Sequence, residues 1–158
     1  IAFGSWKALR AIIHRPPPPD DHEAVVQHLM RVFSVIGSPA FRHELGQMRP
    51  LFERVARRGL YRNGTARQLL AILASGDRRP LLASITAPTL VLHGADDPLV
   101  PIAAGVDTTA NIPGARLEVI PGMGHDFPPG LMARIATRVA EHCRAVPSTQ
   151  PTPATQSA

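Results

Sequence analysis

The sequence predicts an α/β fold in which a helical region is followed by a short parallel β-α-β-α unit. Three observations predict it. Residues 20–76 show apolar spacing of period 3.6 and contain no run that reads as a strand. Two short apolar runs, Thr89–His93 and Ala115–Ile120, are rich in β-formers and bounded by Pro and Gly. One helical segment lies between them and another comes after. That order makes the two strands parallel neighbours with a right-handed crossover.

The elements are taken in chain order. Ile1-Ala-Phe-Gly4 reads as the tail of a strand, and Trp6–Ile13 carries helical spacing. The run Pro16–Pro19 then forces an extended path, so residues 1–19 read as a connector. Asp20-Asp-His-Glu23 is a helix start: Asp20 can accept from first-turn amides and Glu23 can reach back. Val25, Leu29, Val32, Phe33 and Ile36 share one face, and Gly37 is a stop signal. Ser38-Pro39 is expected to cap and open a second helix, broken near Arg49 by Pro50. Leu51, Phe52 and Val55 continue the stripe to Gly59, and a third helix over 65–75 carries Leu69, Leu70 and Leu73 before Gly76. Thr89–His93 has the composition of a parallel strand buried on both faces. Residues 102–111 form a helix, Pro113-Gly114 a turn and 115–120 the second strand. Residues 129–144 form the last helix, with Met132, Ile135, Val139 and Cys143 on one side. The tail from residue 146 is Pro, Ser, Thr, Gln and Ala without periodicity, the composition of a disordered segment.

Composition removes several classes. No apolar run approaches the roughly 20 residues that span a bilayer. Cys143 is the only cysteine, which rules out an internal disulfide framework and makes a reducing, cytoplasmic compartment the default expectation. The net charge of +5 comes almost wholly from arginine, Lys7 being the only lysine. The arginines are dispersed, aromatics are scarce and no finger, RNP-like or basic-helix pattern accompanies them. A basic nucleic-acid-binding module is therefore the weaker reading, and no nucleic-acid partner is expected. His43-Glu44 fails as a zinc helix because Gln47 occupies the position of the second histidine. No metal site is read.

The residues that can carry chemistry stand at strand ends, where α/β sheets present functional groups. Asp96 and Asp97 come just after the first strand. His125 comes after the second, beyond Gly122-Met-Gly124. A histidine acting as general base needs a carboxylate to orient it and to stabilise its imidazolium. Two adjacent strand ends can supply that pair.

The stretch from Ile85 to Pro128 resembles the C-terminal part of the α/β-hydrolase fold. Pro88-Thr-Leu-Val-Leu-His-Gly-x-x-Asp-x-x-Val-Pro101 resembles that family's strand seven and acid turn. Ile120-Pro-Gly-Met-Gly-His-Asp126 resembles its strand eight and histidine loop. The resemblance implies that Asp97 is the catalytic acid, that Asp96 falls on a variable loop position and that His125 is the catalytic histidine. Residues 20–84 resemble a helical cap, and 85–145 the C-terminal lobe. It implies hydrolysis of an ester or related bond in a small apolar substrate, with no cofactor. The family's nucleophile elbow, Gly-x-Ser-x-Gly, does not occur in the 158 residues. The chain, which begins with Ile1, is therefore expected to be a C-terminal portion of a partial α/β-hydrolase fold, inactive and poorly stable by itself. An aspartate nucleophile in place of serine, and a catalytically inactive product or binding fragment, stay as alternatives.

Overall fold

The structure, a computed structural model, describes residues 4–59, 61 and 63–145. Of the strand remnant expected over Ile1–Gly4, residues 1–3 lie outside the described residues, as does the tail from residue 146, and Gly4 is not in a strand. The first helix, α1, runs Trp6–Ile13 and is capped by the Ser5 hydroxyl, which accepts from the Ala8 amide at 3.1 Å. After the prolines comes α2, His22–Ile36. Its cap is Asp21, not Asp20: Asp21 Oδ1 accepts from the Ala24 amide at 2.9 Å. Glu23 does not reach back to complete a capping box. Its carboxylate takes Gln27 and Arg49 instead, the latter at 2.6 Å.

A second correction concerns Ser38-Pro39. The chain continues from it as an irregular 3₁₀ segment, Pro39–Met48, kinked at Phe41, and Ser38 makes no cap bond to it. The regular helix α3, Arg49–Arg58, opens with Pro50 in its first turn, where a missing amide costs nothing. The helix α4, Gly64–Ala74, and the short α5, Arg79–Ala83, complete the strand-free region.

One core lies among these helices. Val25 and Val26 of α2 pack with Met48 and with Phe52 and Ala56 of α3, all buried. The Phe33 and Phe52 rings meet at 5.0 Å between centroids in a tilted arrangement, a favourable aromatic geometry. The apolar stripe expected on α4 is not part of it: Leu70 and Leu73 are 65% and 54% exposed. Helical spacing identifies a stripe, but burial needs an opposing face: Leu69 is half-buried beside residues of α1 and α2, and nothing covers Leu70 and Leu73 among the described residues.

The sheet has two strands, β1 (Leu90–Gly94) and β2 (Arg116–Ile120), parallel and in register from Leu90 opposite Arg116 to Gly94 opposite Ile120. Between them runs α6, Ile102–Asn111, whose Gly105 lets His93 approach so closely that a Cβ there would stand 2.8 Å from the imidazole. Expected to be buried on both faces, β1 is only half-buried up to Gly94. The last helix, α7, Pro129–Ala145, buries Leu131 and half-buries Ile135. Met132 and Val139, expected on that face, point outward. A second core joins Ile120, Met123 and Leu131, with Phe41 of the 3₁₀ segment packed against it. That core ties the end of β2 to the helical region and fixes the site.

Candidate active site

The chain leaves β1 at Gly94 and turns through Asp96 and Asp97. Asp97 Oδ1 accepts from the amides of Leu99 and Val100, both at 2.8 Å, a side-chain turn that fixes the carboxylate's orientation. From below, His93 Nε2 lies 2.9 Å from the Val100 carbonyl and donates to it. The second carboxylate oxygen, Oδ2, is thereby aimed across to the end of β2.

The chain leaves β2 at Ile120 and turns through Gly122, whose φ of +75° is a left-handed conformation that suits glycine. This turn is laced to the acid turn. Ala95 N donates to the Ile120 carbonyl and Asp96 N to that of Met123, both at 3.0 Å, and Gly122 N donates to Asp96 Oδ2 at 2.8 Å. The two turns approach so closely that a Cβ on Gly94 would stand 2.4 Å from the Met123 carbonyl oxygen.

His125 is next, with Nδ1 at 2.8 Å from Asp97 Oδ2. Asp97 is nearly enclosed, its side chain 7% exposed, while that of His125 is 41% exposed. Among the described residues no hydrogen bond engages Nε2. Burial pushes the Asp97 carboxyl up, but the bonds from His125 and the amides of Val100 and Leu99 outweigh it and leave the carboxyl below its ordinary value. His125 is raised, chiefly by its hydrogen bond to Asp97, with burial opposing and the charges of Asp97 and Asp126 assisting. The pair thus favours carboxylate beside a readily protonated imidazole.

The helical region grips the same turn. His125 N donates to the Ile36 carbonyl at 2.8 Å, and Gly124 N donates to Ser38 Oγ at 2.9 Å. Asp126 Oδ1 accepts from Ser38 N at 2.8 Å and also from the Ser38 hydroxyl. Gly124 passes so near α2 that a Cβ would stand 2.5 Å from the Gly37 carbonyl. Beside Asp126 and Ser38 lies a cavity of about 200 Å³ whose apolar wall is Phe33, Phe41, Leu45 and Pro128.

The structure therefore brings together Asp97 and His125, the two residues singled out in the sequence. Sequence reasoning weighed Asp96 and set it aside as a loop position, and it assigned no part in the site to Ser38, Asp126 or His93. Asp96 and His93 adjoin the motif but read there as turn and strand residues. Ser38 read as a helix cap, and its partners lie 86 and 88 positions away. Among the described residues no group of three or more His, Cys, Asp or Glu side chains converges as a metal site, and no helix is long and apolar enough to cross a membrane.

A family model described as alpha/beta hydrolase fold matches residues 38–128. A 2-hydroxy-6-oxo-6-phenylhexa-2,4-dienoate hydrolase of Burkholderia cepacia is 45% identical over 53 residues, 34% of this chain and 18% of that protein. A 2-hydroxy-6-oxononadienedioate/2-hydroxy-6-oxononatrienedioate hydrolase of Dechloromonas aromatica is 32% identical over 113 residues, 72% of this chain and 37% of that protein. In three dimensions, the 2-hydroxy-6-oxo-6-phenylhexa-2,4-dienoate hydrolase of Rhodococcus sp. strain RHA1 superposes with a TM-score of 0.65 at 17% identity, covering 91% of this chain and 50% of that one. The chain thus spans about half of that solved structure's length.

Proposed function

The chain belongs to the alpha/beta hydrolase fold family, and on that premise we propose that Asp97 and His125 are the acid and base of a site that hydrolyses carboxylic esters or related bonds. The observation that carries the proposal is the 2.8 Å contact from His125 Nδ1 to Asp97 Oδ2, with Nε2 left for a reacting group. In the proposed reaction Nε2 takes the proton of a nucleophile as it attacks the carbonyl carbon. Asp97 holds the ring in the tautomer with hydrogen on Nδ1 and stabilises the imidazolium, which then returns its proton to the leaving group; a water deprotonated by Nε2 next attacks the acyl carbon, and the same proton restores the nucleophile as the acid leaves.

The nucleophile is not among these 158 residues in the family's Gly-x-Ser-x-Gly form. The proposed activity therefore belongs to a polypeptide that supplies one as a serine; where an aspartate stands instead, its carboxylate has no proton to give, and Nε2 takes one from the water that cleaves the covalent intermediate. The 158-residue chain alone is expected to be inert, since losing the nucleophile costs on the order of 10⁶-fold in a serine hydrolase.

The test is hydrolysis of a p-nitrophenyl acyl ester by the longest polypeptide that reads in frame through Ile1. Expected are turnover and a loss on the order of 10⁴-fold or more in its His125→Ala and Asp97→Ala variants. Turnover that survives both substitutions refutes the assignment. His125-dependent turnover by the 158-residue chain alone refutes the need for an outside nucleophile.

A further inference from the structure

Ser38 does not do what its position suggests. It precedes a proline at a helix start, yet its hydroxyl caps nothing. It is only 3% exposed and satisfies its hydroxyl across the fold. The hydroxyl accepts from Gly124 N at 2.9 Å and donates to Asp126 Oδ1, while the Ser38 amide donates to that same oxygen at 2.8 Å. Between the two gripped residues is His125, whose own amide is held by the Ile36 carbonyl at 2.8 Å. Three consecutive residues of the histidine turn are thus tied to the end of α2.

Two donors from Ser38 hold Asp126 Oδ1, and across the turn Asp97 Oδ2 is the acceptor that meets Nδ1.

We propose that Ser38 is a positioning residue for His125: one buried hydroxyl holds the Gly124 amide and the Asp126 carboxylate together, keeping the ring's Nδ1 on Asp97 and Nε2 outward. The placement of the helical region on the sheet thereby sets the imidazole's orientation. The consequence for catalysis rests on the proposed function, but the orientation is readable without any turnover.

The experiment is a long-range imidazole nitrogen spectrum of the 158-residue chain, recorded above the titration of His125, whose signals are assigned by their loss in His125→Gln. The unaltered chain is expected to hold neutral His125 with hydrogen on Nδ1. In Ser38→Ala that form is expected to be lost in favour of hydrogen on Nε2, which an untethered imidazole prefers. Ser38→Thr keeps the hydroxyl and is expected to keep the Nδ1–H form. Asp126→Ala removes the anchored carboxylate and is expected to weaken the Nδ1–H preference too. If Ser38→Ala melts like the unaltered chain and retains the Nδ1–H form, the proposal is overturned. If Ser38→Ala does not fold, retention of that form in Asp126→Ala overturns it equally. A tautomer that responds as expected, beside a longest in-frame polypeptide that hydrolyses no ester, leaves the positioning role standing and removes the proposed function.

Discussion

Gly94→Ala is expected to break the site without touching either member of the pair. The added Cβ would stand 2.4 Å from the Met123 carbonyl oxygen and 2.8 Å from that of Gly124. Ordinary contact needs roughly 1 Å more. Both obstacles are backbone, so no side chain can swing aside, and the whole histidine turn must move away from the acid turn. Two amide hydrogen bonds, Asp96 N to Met123 O and Ala95 N to Ile120 O, start at 3.0 Å. A displacement of about 1 Å takes them past useful geometry. Overpacking of this kind costs about 1–3 kcal/mol, and lost backbone bonds push the total to the upper end. At about 2–4 °C per kcal/mol for a chain of this size, the melting temperature should fall by roughly 6–12 °C. The His125 contact to Asp97, 2.8 Å in the unaltered chain, should open at the same time. The assay is a thermal melt by circular dichroism, paired with the imidazole spectrum. Gly46→Ala is the control, because a Cβ added there meets nothing within 4 Å. A Gly94→Ala protein that melts within about 2 °C of the unaltered chain and keeps the Nδ1–H form would refute the close-approach argument.

The remaining expectations are simpler. His125 is raised above 6.5, so the stability it contributes is complete below that value and is lost as pH rises through its folded value. Asp97 is lowered below 3.8, so its contribution is complete above that value and is lost as pH falls through its folded value. Asp97→Asn should remove both dependences. His28, lowered by burial and by Arg31 and His14, titrates in the opposite sense. The readout is therefore the difference between variant and unaltered urea midpoints from about pH 2 to pH 9, and a difference constant across that range contradicts the coupling. Phe52→Ala should cost about 3–5 kcal/mol, because Phe52 is 2% exposed and loses its ring contact with Phe33. A urea titration showing a loss below about 1 kcal/mol would mean that the α2–α3 core collapses around the gap.

The element order was legible in the sequence because it rests on local physics. Apolar period, Pro and Gly punctuation and β-branched runs placed β1 and β2 within a residue of their observed starts, and α6 over 102–111 as found. Where several local solutions were equally good, sequence reasoning erred. Asp20 and Asp21 are both fit to cap α2, and the chain's path out of the prolines selects Asp21. The stripes on α4 and α7 have helical spacing, but a stripe does not state whether another element reaches it.

The site divides along the same line. Sequence alone determined that an acid and a histidine stand just past two parallel neighbouring strands, because strand order and glycine turns are written within short stretches. Asp97 was preferred to Asp96 because Gly94-x-x-Asp97-x-x-Val100-Pro101 resembles the acid turn of the α/β-hydrolase fold. Only the tertiary structure decided what holds them: Asp96 on the Gly122 amide, 26 positions away, and Ser38 on Asp126 and Gly124, 88 and 86 positions away. A hydroxyl or carboxylate carries no local mark of a partner so distant. Its choice depends on which amides remain unpaired once the helices have packed against the end of β2, a property of the assembled fold and not of any window of sequence.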